Sequence, residues 1–303
     1  MTLKPLDTSS LPTLASSMVV IDLSISAWTN NAKDVTQARR IEHDNDAAAG
    51  VVKVTKKLIA SHKLDALHKR VALMRNHHTK MTTAWGQLKQ RCMRTDAYLT
   101  KYEPAMAQYQ AEFTDMVNDF LPDYPALREA AKQSYVGLGK LFNEDDYPLE
   151  HRIARKFSFT YCASPMPQAG NWIIDTANEA AEVMRRRYEH EVQQRVNDAM
   201  AEVWQRAHKA VTHMVERLDY AGDEDKKKFH DTLVPNVLDA VAMLEELNIA
   251  GDPAMREAHR RLAEVLDGVT TQALRHNKHL RDDVRVQVAD VAAKMAALPG
   301  FGF

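Results

Sequence analysis

Residues 64–92 read LDALHKRVALMRNHHTKMTTAWGQLKQRC. Taking every third or fourth position gives Leu64, Leu67, Val71, Met74, His78, Met81, Trp85, Leu88 and Cys92, spaced 3, 4, 3, 4 without a slip. That spacing predicts one continuous helix of about 43 Å with a coiled-coil seam. His78, between Met74 and Met81, is the polar residue that fixes register or pairs across such an interface. Off the seam stand Lys63, Lys69, Arg70, Arg75, Lys80, Lys89, Arg91 and Arg94, against Asp65 and Asp96 alone. A stripe of this kind buries its apolar edge on other helices and offers its cations to something anionic.

Working outward, the 303-residue chain has a net charge of −1, so the distribution of charge matters more than its sum. Lys33–Lys101 holds 15 basic and 6 acidic residues, a net of +9, while Tyr102–Glu150 holds 3 and 10, a net of −7. The plainest consequence of adjacent segments with opposite signs is that they lie against each other. Few glycines and prolines favour helix. Cys92 and Cys162 suggest no disulfide framework and fit a reducing compartment. With no long apolar run and no cleavable leader pattern, the chain is expected in the cytoplasm, away from membranes.

The fold class expected is mainly α: long, coiled-coil-like helices in a bundle, with a small two-stranded antiparallel element. Residues 1–32 form an arm and a strand, in which Val19, Ile21, Leu23 and Ile25 alternate with Asp22, Ser24 and Ser26. Residues 33–150 form a helical region with a basic half (33–101), bent at Gly50, and an acidic half (102–150) entered by a break at Pro104. Residues 151–175 hold a second strand, in which Phe157, Phe159 and Tyr161 alternate with polar positions, and a Pro-rich turn. Its economical partner is the first strand. Residues 176–303 form three long antiparallel helices. The first is opened by a Thr176/Glu179 capping box and runs to Tyr220, with Gly222 closing it. The second spans Asp225–Leu247 and is kinked or split at Pro235. The last runs from Asp252 and Pro253 toward Leu298.

No catalytic constellation emerges. The histidines lack metal-ligand spacing; His208 and His213 point apart, and His276 with His279 reads better as a solvated face than as a metal site. Gly137–Leu138–Gly139 lacks the context of a phosphate loop. No cofactor is called for. The chain is read as a non-enzyme, and the basic helix is its candidate site. Lys63, Lys69, Arg70, Arg75, Lys80, Lys89, Arg91 and Arg94 would hold phosphates, with Tyr98 and, secondarily, Trp85 as stacking platforms for single-stranded DNA. Further basic clusters are His151–Arg152–Arg155–Lys156, at the entry of the aromatic strand, Arg185–Arg187 and Lys226–Lys228. Phe301 and Phe303 end the chain as a tail that folds back or docks a subunit.

The segments Asp22–Trp28, Asp146–Pro148, Lys156–Phe159 and Pro165–Pro167, followed by a long helical tail, resemble proteins of podophages that carry a virion RNA polymerase (the Schitoviridae type). One group there is a single-stranded-DNA-binding cofactor of the phage RNA polymerase. The layout is also similar to a helical family of mobile elements encoded beside a MoxR-type ATPase. The resemblance implies sequence-independent single-stranded DNA binding in the host cytoplasm, in support of phage transcription or replication. Phage RNA polymerase would be a partner, and a homo-oligomer would bind cooperatively. The rival reading is a helical adaptor for an AAA-type ATPase or RNA polymerase without direct DNA contact. A virion structural component is a third.

Overall fold

The alternation that begins at Val19 forms a strand in the computed structural model, which describes residues 17–86, 90–133, 137–166, 179–220 and 230–297, side chains at 179–182 and 185 excepted. This strand is β1 (Met18–Ser26). After it come β2 (Asn31–Lys33), α1 (Val35–Asp44), β3 (Thr55–Lys57), α2 (His62–Met81), β4 (Thr83–Ala84) and β5 (Arg91–Arg94). A π-turn at Tyr98–Tyr102 leads into α3 (Glu103–Phe120), followed by α4 (Tyr124–Ala131), short turns and β6 (Ser158–Pro165). The remainder is α5 (Glu179–Leu218), α6 (Leu233–Glu246), α7 (Pro253–Leu266), α8 (Thr271–His276) and α9 (Lys278–Ala296). The protein is mainly helical, and among the described residues the expected two-stranded element is replaced by a four-stranded sheet and a separate two-stranded antiparallel one.

The seam is half right. Leu64, Leu67, Val71, Met74 and His78 do form the buried face of α2. The helix stops at Met81, however, so it spans 20 residues, about 30 Å, and no coiled coil follows. The β-branched pair Thr82–Thr83 comes next, and the Thr82 hydroxyl donates to the His78 carbonyl at 2.6 Å, closing the last turn with a side chain. Gly86 then turns the chain with φ +73°. Cys92 is buried in a β-ladder, in which Thr83 pairs with Cys92 and Ala84 with Arg91, and buried Trp85 follows it, its amide donating to the Gln90 carbonyl at 2.9 Å. Leu88 and Lys89 lie outside the described residues.

The sheet order β4-β5-β1-β6 places β1 beside β6, the expected pairing, and adds β5 on its other side in the register Met18↔Arg94 to Ile21↔Arg91. Ahead of α2, the helix expected in the basic half (33–101) is confined to α1, whose N-cap Asp34 accepts from the Gln37 amide. The flanking residues pair as β2 and β3. Between them the buried Glu42 carboxylate accepts the amides of Gly50 and Val52 (2.8 and 3.0 Å), and Gly50 takes φ +87°. Pro104 does not break the chain's helical course; it follows the π-turn at Tyr98–Tyr102, and the helix continues through it as α3.

The chain divides into two compact units. In one, comprising residues 23–77 and 104–161, Leu64, Leu67, Val71 and Met74 of α2 and Phe113, Val117 and Phe120 of α3 are buried. There Phe113 meets Phe159, Phe120 meets Phe157 and Trp28 meets Tyr124, with ring centroids 5.5–5.8 Å apart. In the other, comprising 17–22, 78–103 and 162–297 of the described residues, α5 packs on α6 and α9, and α7 packs on the same two helices.

The expected final helix is three. Asp252 does cap α7, its carboxylate accepting from Ala254 and Met255, but Gly268 (φ +68°) and new caps at Thr270 and Asn277 restart the chain as α8 and α9. Pro235 lies in the first turn of α6 and neither kinks nor splits it. The first long helix ends at Leu218, short of Tyr220. Thr176, Gly222, Asp225, Lys226–Lys228 and the Phe301–Phe303 tail lie outside the described residues.

Candidate nucleic-acid interface

Folding engages most of the basic row on and after α2 with the chain's own acceptors. In the first unit Lys63 donates to Asp123 and Asp119 at 2.8 and 3.1 Å, and these two carboxylates hold its ammonium above the ordinary lysine value. Arg70 meets Glu112 at 2.7 Å and lies over the Tyr109 ring, 5.2 Å from its centroid. That contact with Glu112 raises the guanidinium's pKa further. Arg75 donates to the Ile25 carbonyl at 2.6 Å. Lys56, a cation from the same basic segment, is similarly engaged with Asp146 at 2.7 Å. Lys69 of the α2 row is exposed with no ion-pair partner among the described residues.

In the second unit the rest of the row is likewise occupied. Lys80 faces Asp239 at 3.4 Å, a loose pair with both side chains well exposed. Arg94 pairs with Asp96 at 2.8 Å, and Lys101 with Glu246. Arg91 joins a half-buried network: its guanidinium donates to the Thr82 hydroxyl (2.7 Å), the Thr82 carbonyl (2.9 Å) and Glu202 (2.8 Å). Glu202 also accepts the Ala84 amide at 2.6 Å and the Thr83 hydroxyl at 3.1 Å, while Arg206 caps the carbonyls of Lys80 and Thr82 at 3.0 Å each. Burial pushes the Glu202 carboxyl up, but the Ala84 amide and Arg91 outweigh it and hold it below the usual carboxylate range. This network ties the end of α2 and the β4–β5 ladder to α5, and no sequence motif marks it.

The stacking platforms are no freer. Trp85 is 3% exposed, with the Arg195 guanidinium 6.0 Å from its ring centre. Tyr98 is half-buried and stacked on Tyr102 at 5.7 Å, and burial raises its phenol's pKa. Tyr102 gives its hydroxyl to a 2.7 Å contact with His78 Nδ1, so the polar seam residue pairs inside its own chain. No aromatic side chain among the described residues is more than half-exposed.

The second basic cluster is different. His151, Arg152, Arg155 and Lys156 are all exposed, and none has a hydrogen-bonding or ionic partner for its side chain among the described residues. They stand on two consecutive helical turns, Glu150–Ile153 and Ala154–Lys156. Anchors fix both ends. Tyr124 donates its hydroxyl to the Pro148 carbonyl at 2.7 Å, and buried Tyr147 donates to the Leu58 carbonyl at 2.8 Å. Buried Ile153 and Phe157 pin the middle and the exit, and the Lys156 carbonyl accepts from Ser26 at 3.2 Å. Exposed Leu149 adds an apolar contact beside the cations, and Glu150 is the turn's one carboxylate. The result is a held cationic knuckle.

Among the described residues no three His, Cys, Asp or Glu side chains gather as a metal site requires, and no helix is long and apolar enough to cross a membrane. No family model, curated protein or solved structure matches this chain.

Proposed function

We propose that this chain is a non-enzymatic helical adaptor that presents the Leu149–Lys156 knuckle to an acidic face of a larger machine, of the AAA-type ATPase or RNA polymerase class. The observation that carries the reading is the contrast in charge. Apart from Lys69, the cations of α2 and the β4–β5 ladder meet carboxylates or carbonyls of their own chain, while those of the knuckle meet none among the described residues. Cations already paired offer little net attraction to phosphate, because an existing ion pair must be broken for each new one. An apolar Leu149 at the edge suits a protein surface, where charged rims surround apolar contacts.

Single-stranded DNA binding is the second reading, favoured by the same four unengaged side chains and moved from α2 to the knuckle. Phe157 and Phe159 are buried, so among the described residues they offer no stacking platform beside it, which weighs against single strands. Four phosphate contacts give a salt slope of about −3.

One experiment separates them. The full chain and its Arg152→Glu/Arg155→Glu/Lys156→Glu variant are titrated with a labelled oligonucleotide at two ionic strengths, and both are used as bait in cross-linking capture from the cell that makes the protein. The adaptor reading expects an ATPase or polymerase subunit cross-linked to the knuckle of the parent chain alone, with no oligonucleotide binding. Oligonucleotide binding that is salt-sensitive and lost in the variant would replace it with the second reading.

A further inference from the structure

Residues 31–57 form a lobe that buries little of itself: of α1, only Ala38 and Glu42 are buried. β2 and β3 pair Asn31 with Lys57 and Lys33 with Thr55. The Asp34 amide donates to the Val54 carbonyl at 2.9 Å, which carries the ladder on and sets Val35 opposite Lys53. Side chains alternate across such a ribbon. Asn31, Lys33, Val35, Lys53 and Thr55 therefore share one face, and all are exposed, with Val51 ending the row. Three anchors hold the lobe. At its base Asn30 (φ +58°) donates its side-chain amide to the Ile59 carbonyl at 2.8 Å and accepts the Ile59 amide at 2.9 Å. On the covered face Lys56 donates to Asp146 and to the Leu141 carbonyl, at 2.7 Å each. At the tip, Glu42 accepts the amides of Gly50 and Val52, the two residues that bracket Val51. Val51 is thus fixed in place while 63% exposed, and Val35, diagonally across the ribbon, is 56% exposed.

Cations rim this pair. Lys33 and Lys53 are its neighbours on the ribbon face, and Arg39 stands one turn along α1 from Val35. All three are exposed, and none has a hydrogen-bonding or ionic partner for its side chain among the described residues. The lobe's carboxylates are engaged elsewhere: Asp34 caps α1, Glu42 holds the loop and Asp44 lies 3.7 Å from Arg40, which leaves Asp46 exposed beyond the end of α1. Ala131 and Gly137, which flank the undescribed residues 134–136 of this unit, border residues 57–60 at the base of the ribbon and not its tip. Single exposed valines are ordinary; two together on a fixed backbone, ringed by unengaged cations, have the apolar centre and charged rim of an interface. We propose that this tip docks an acidic segment of a partner protein, one apolar side chain of which packs on Val35 and Val51 while carboxylates to either side meet Lys33, Lys53 and Arg39. The rim charge selects an anionic occupant, and a phosphate polymer would leave the valines idle. The site does not depend on the knuckle, and an adaptor with both bridges two acidic partners.

The test uses a fluorescein-labelled, Glu-rich peptide with one photo-leucine at its centre. It is titrated into the full chain carrying Arg152→Glu/Arg155→Glu/Lys156→Glu, so that the knuckle does not compete. A contact this small is weak, with an expected Kd on the order of 10–100 μM. Adding Lys33→Glu/Lys53→Glu raises Kd about tenfold or more, and adding Val51→Ser raises it about threefold or more. Serine in place of the photo-leucine weakens binding to the unaltered lobe and makes little further difference to Val51→Ser. Irradiation links the peptide to Val35 or to residues 50–53. Helical circular dichroism stays the same throughout, since the altered side chains are exposed. Binding indifferent to the lobe substitutions, or a cross-link confined to other residues, would overturn the proposal. So would a chain that ignores the peptide, whether it sediments with phosphatidylglycerol vesicles, binds an oligonucleotide or self-associates through Val51 instead.

Discussion

The α2 row and the Leu149–Lys156 knuckle look alike as sequence and differ as surface. Both are dense in Lys and Arg. Along α2, Lys63 and Arg70 meet carboxylates of α3 and the turn after it, 42 to 60 positions away, because the acidic segment that follows in sequence folds back onto the basic one. Among the described residues the knuckle has no such counterpart. Its backbone is anchored by Tyr124, Tyr147 and Ser26, while its four basic side chains stay in water. Cations that hold a fold together and cations that await a partner therefore separate by what lies opposite them, and local density does not tell them apart.

That comparison breaks first at the Glu202 network. Glu202→Ala leaves Arg91 and Arg206 facing each other without their shared carboxylate and is expected to lower stability by about 2–3 kcal/mol, read by urea denaturation. The same group sets an acid limit. Its carboxyl sits below the usual range in the fold, so its contribution is complete above the unfolded value of about 4.3 and is lost as pH falls through the lowered folded value. Glu202→Gln should flatten the stability profile below that point and leave its slope near neutrality unchanged.

A smaller effect is expected on α2. Arg70→Ala removes a partly exposed ion pair and a ring contact, about 1 kcal/mol, with no loss of partner capture. Smallest in stability is the knuckle. Arg152→Glu with Arg155→Glu and Lys156→Glu should change the unfolding free energy by no more than about 0.5 kcal/mol, because no partner among the described residues is lost. A separate check concerns the thiols. Burial pushes the Cys92 thiol up to about 12, so one equivalent, from exposed Cys162, should react with a thiol reagent in the native protein and the second only on unfolding.

Much of the helical framework is legible in the residues themselves. The face from Leu64 to His78, the Asp252 cap and the alternation of β1 follow from periodicity and side-chain chemistry. The seam beyond Met81 misleads because a 3-4 spacing of apolar residues survives by coincidence across a turn. What ends the helix is the Thr82–Thr83 pair and the positive φ of Gly86, local features that a count of apolar positions passes over. β5 is hidden for a related reason. Cys92 and Met93 are both buried, so no alternation marks that strand. The site was the least legible part. The net charges of the two segments hinted at neutralisation, and Lys63 and Arg70 realise it. The links from Lys80 to Asp239 and from Arg91 to Glu202 span more than 100 residues and depend on packing no local pattern encodes. The knuckle's cluster is visible in the sequence; its lack of ion pairs among the described residues is not.

The most direct test compares charge reversal at the two places in one binding assay. Cross-linking capture is quantified for the parent chain, for Arg70→Glu and for the Arg152→Glu/Arg155→Glu/Lys156→Glu variant. Capture that survives the change on α2 and falls at least about tenfold with the change on the knuckle is the predicted result. Capture lost with Arg70→Glu and retained in the knuckle variant would contradict it.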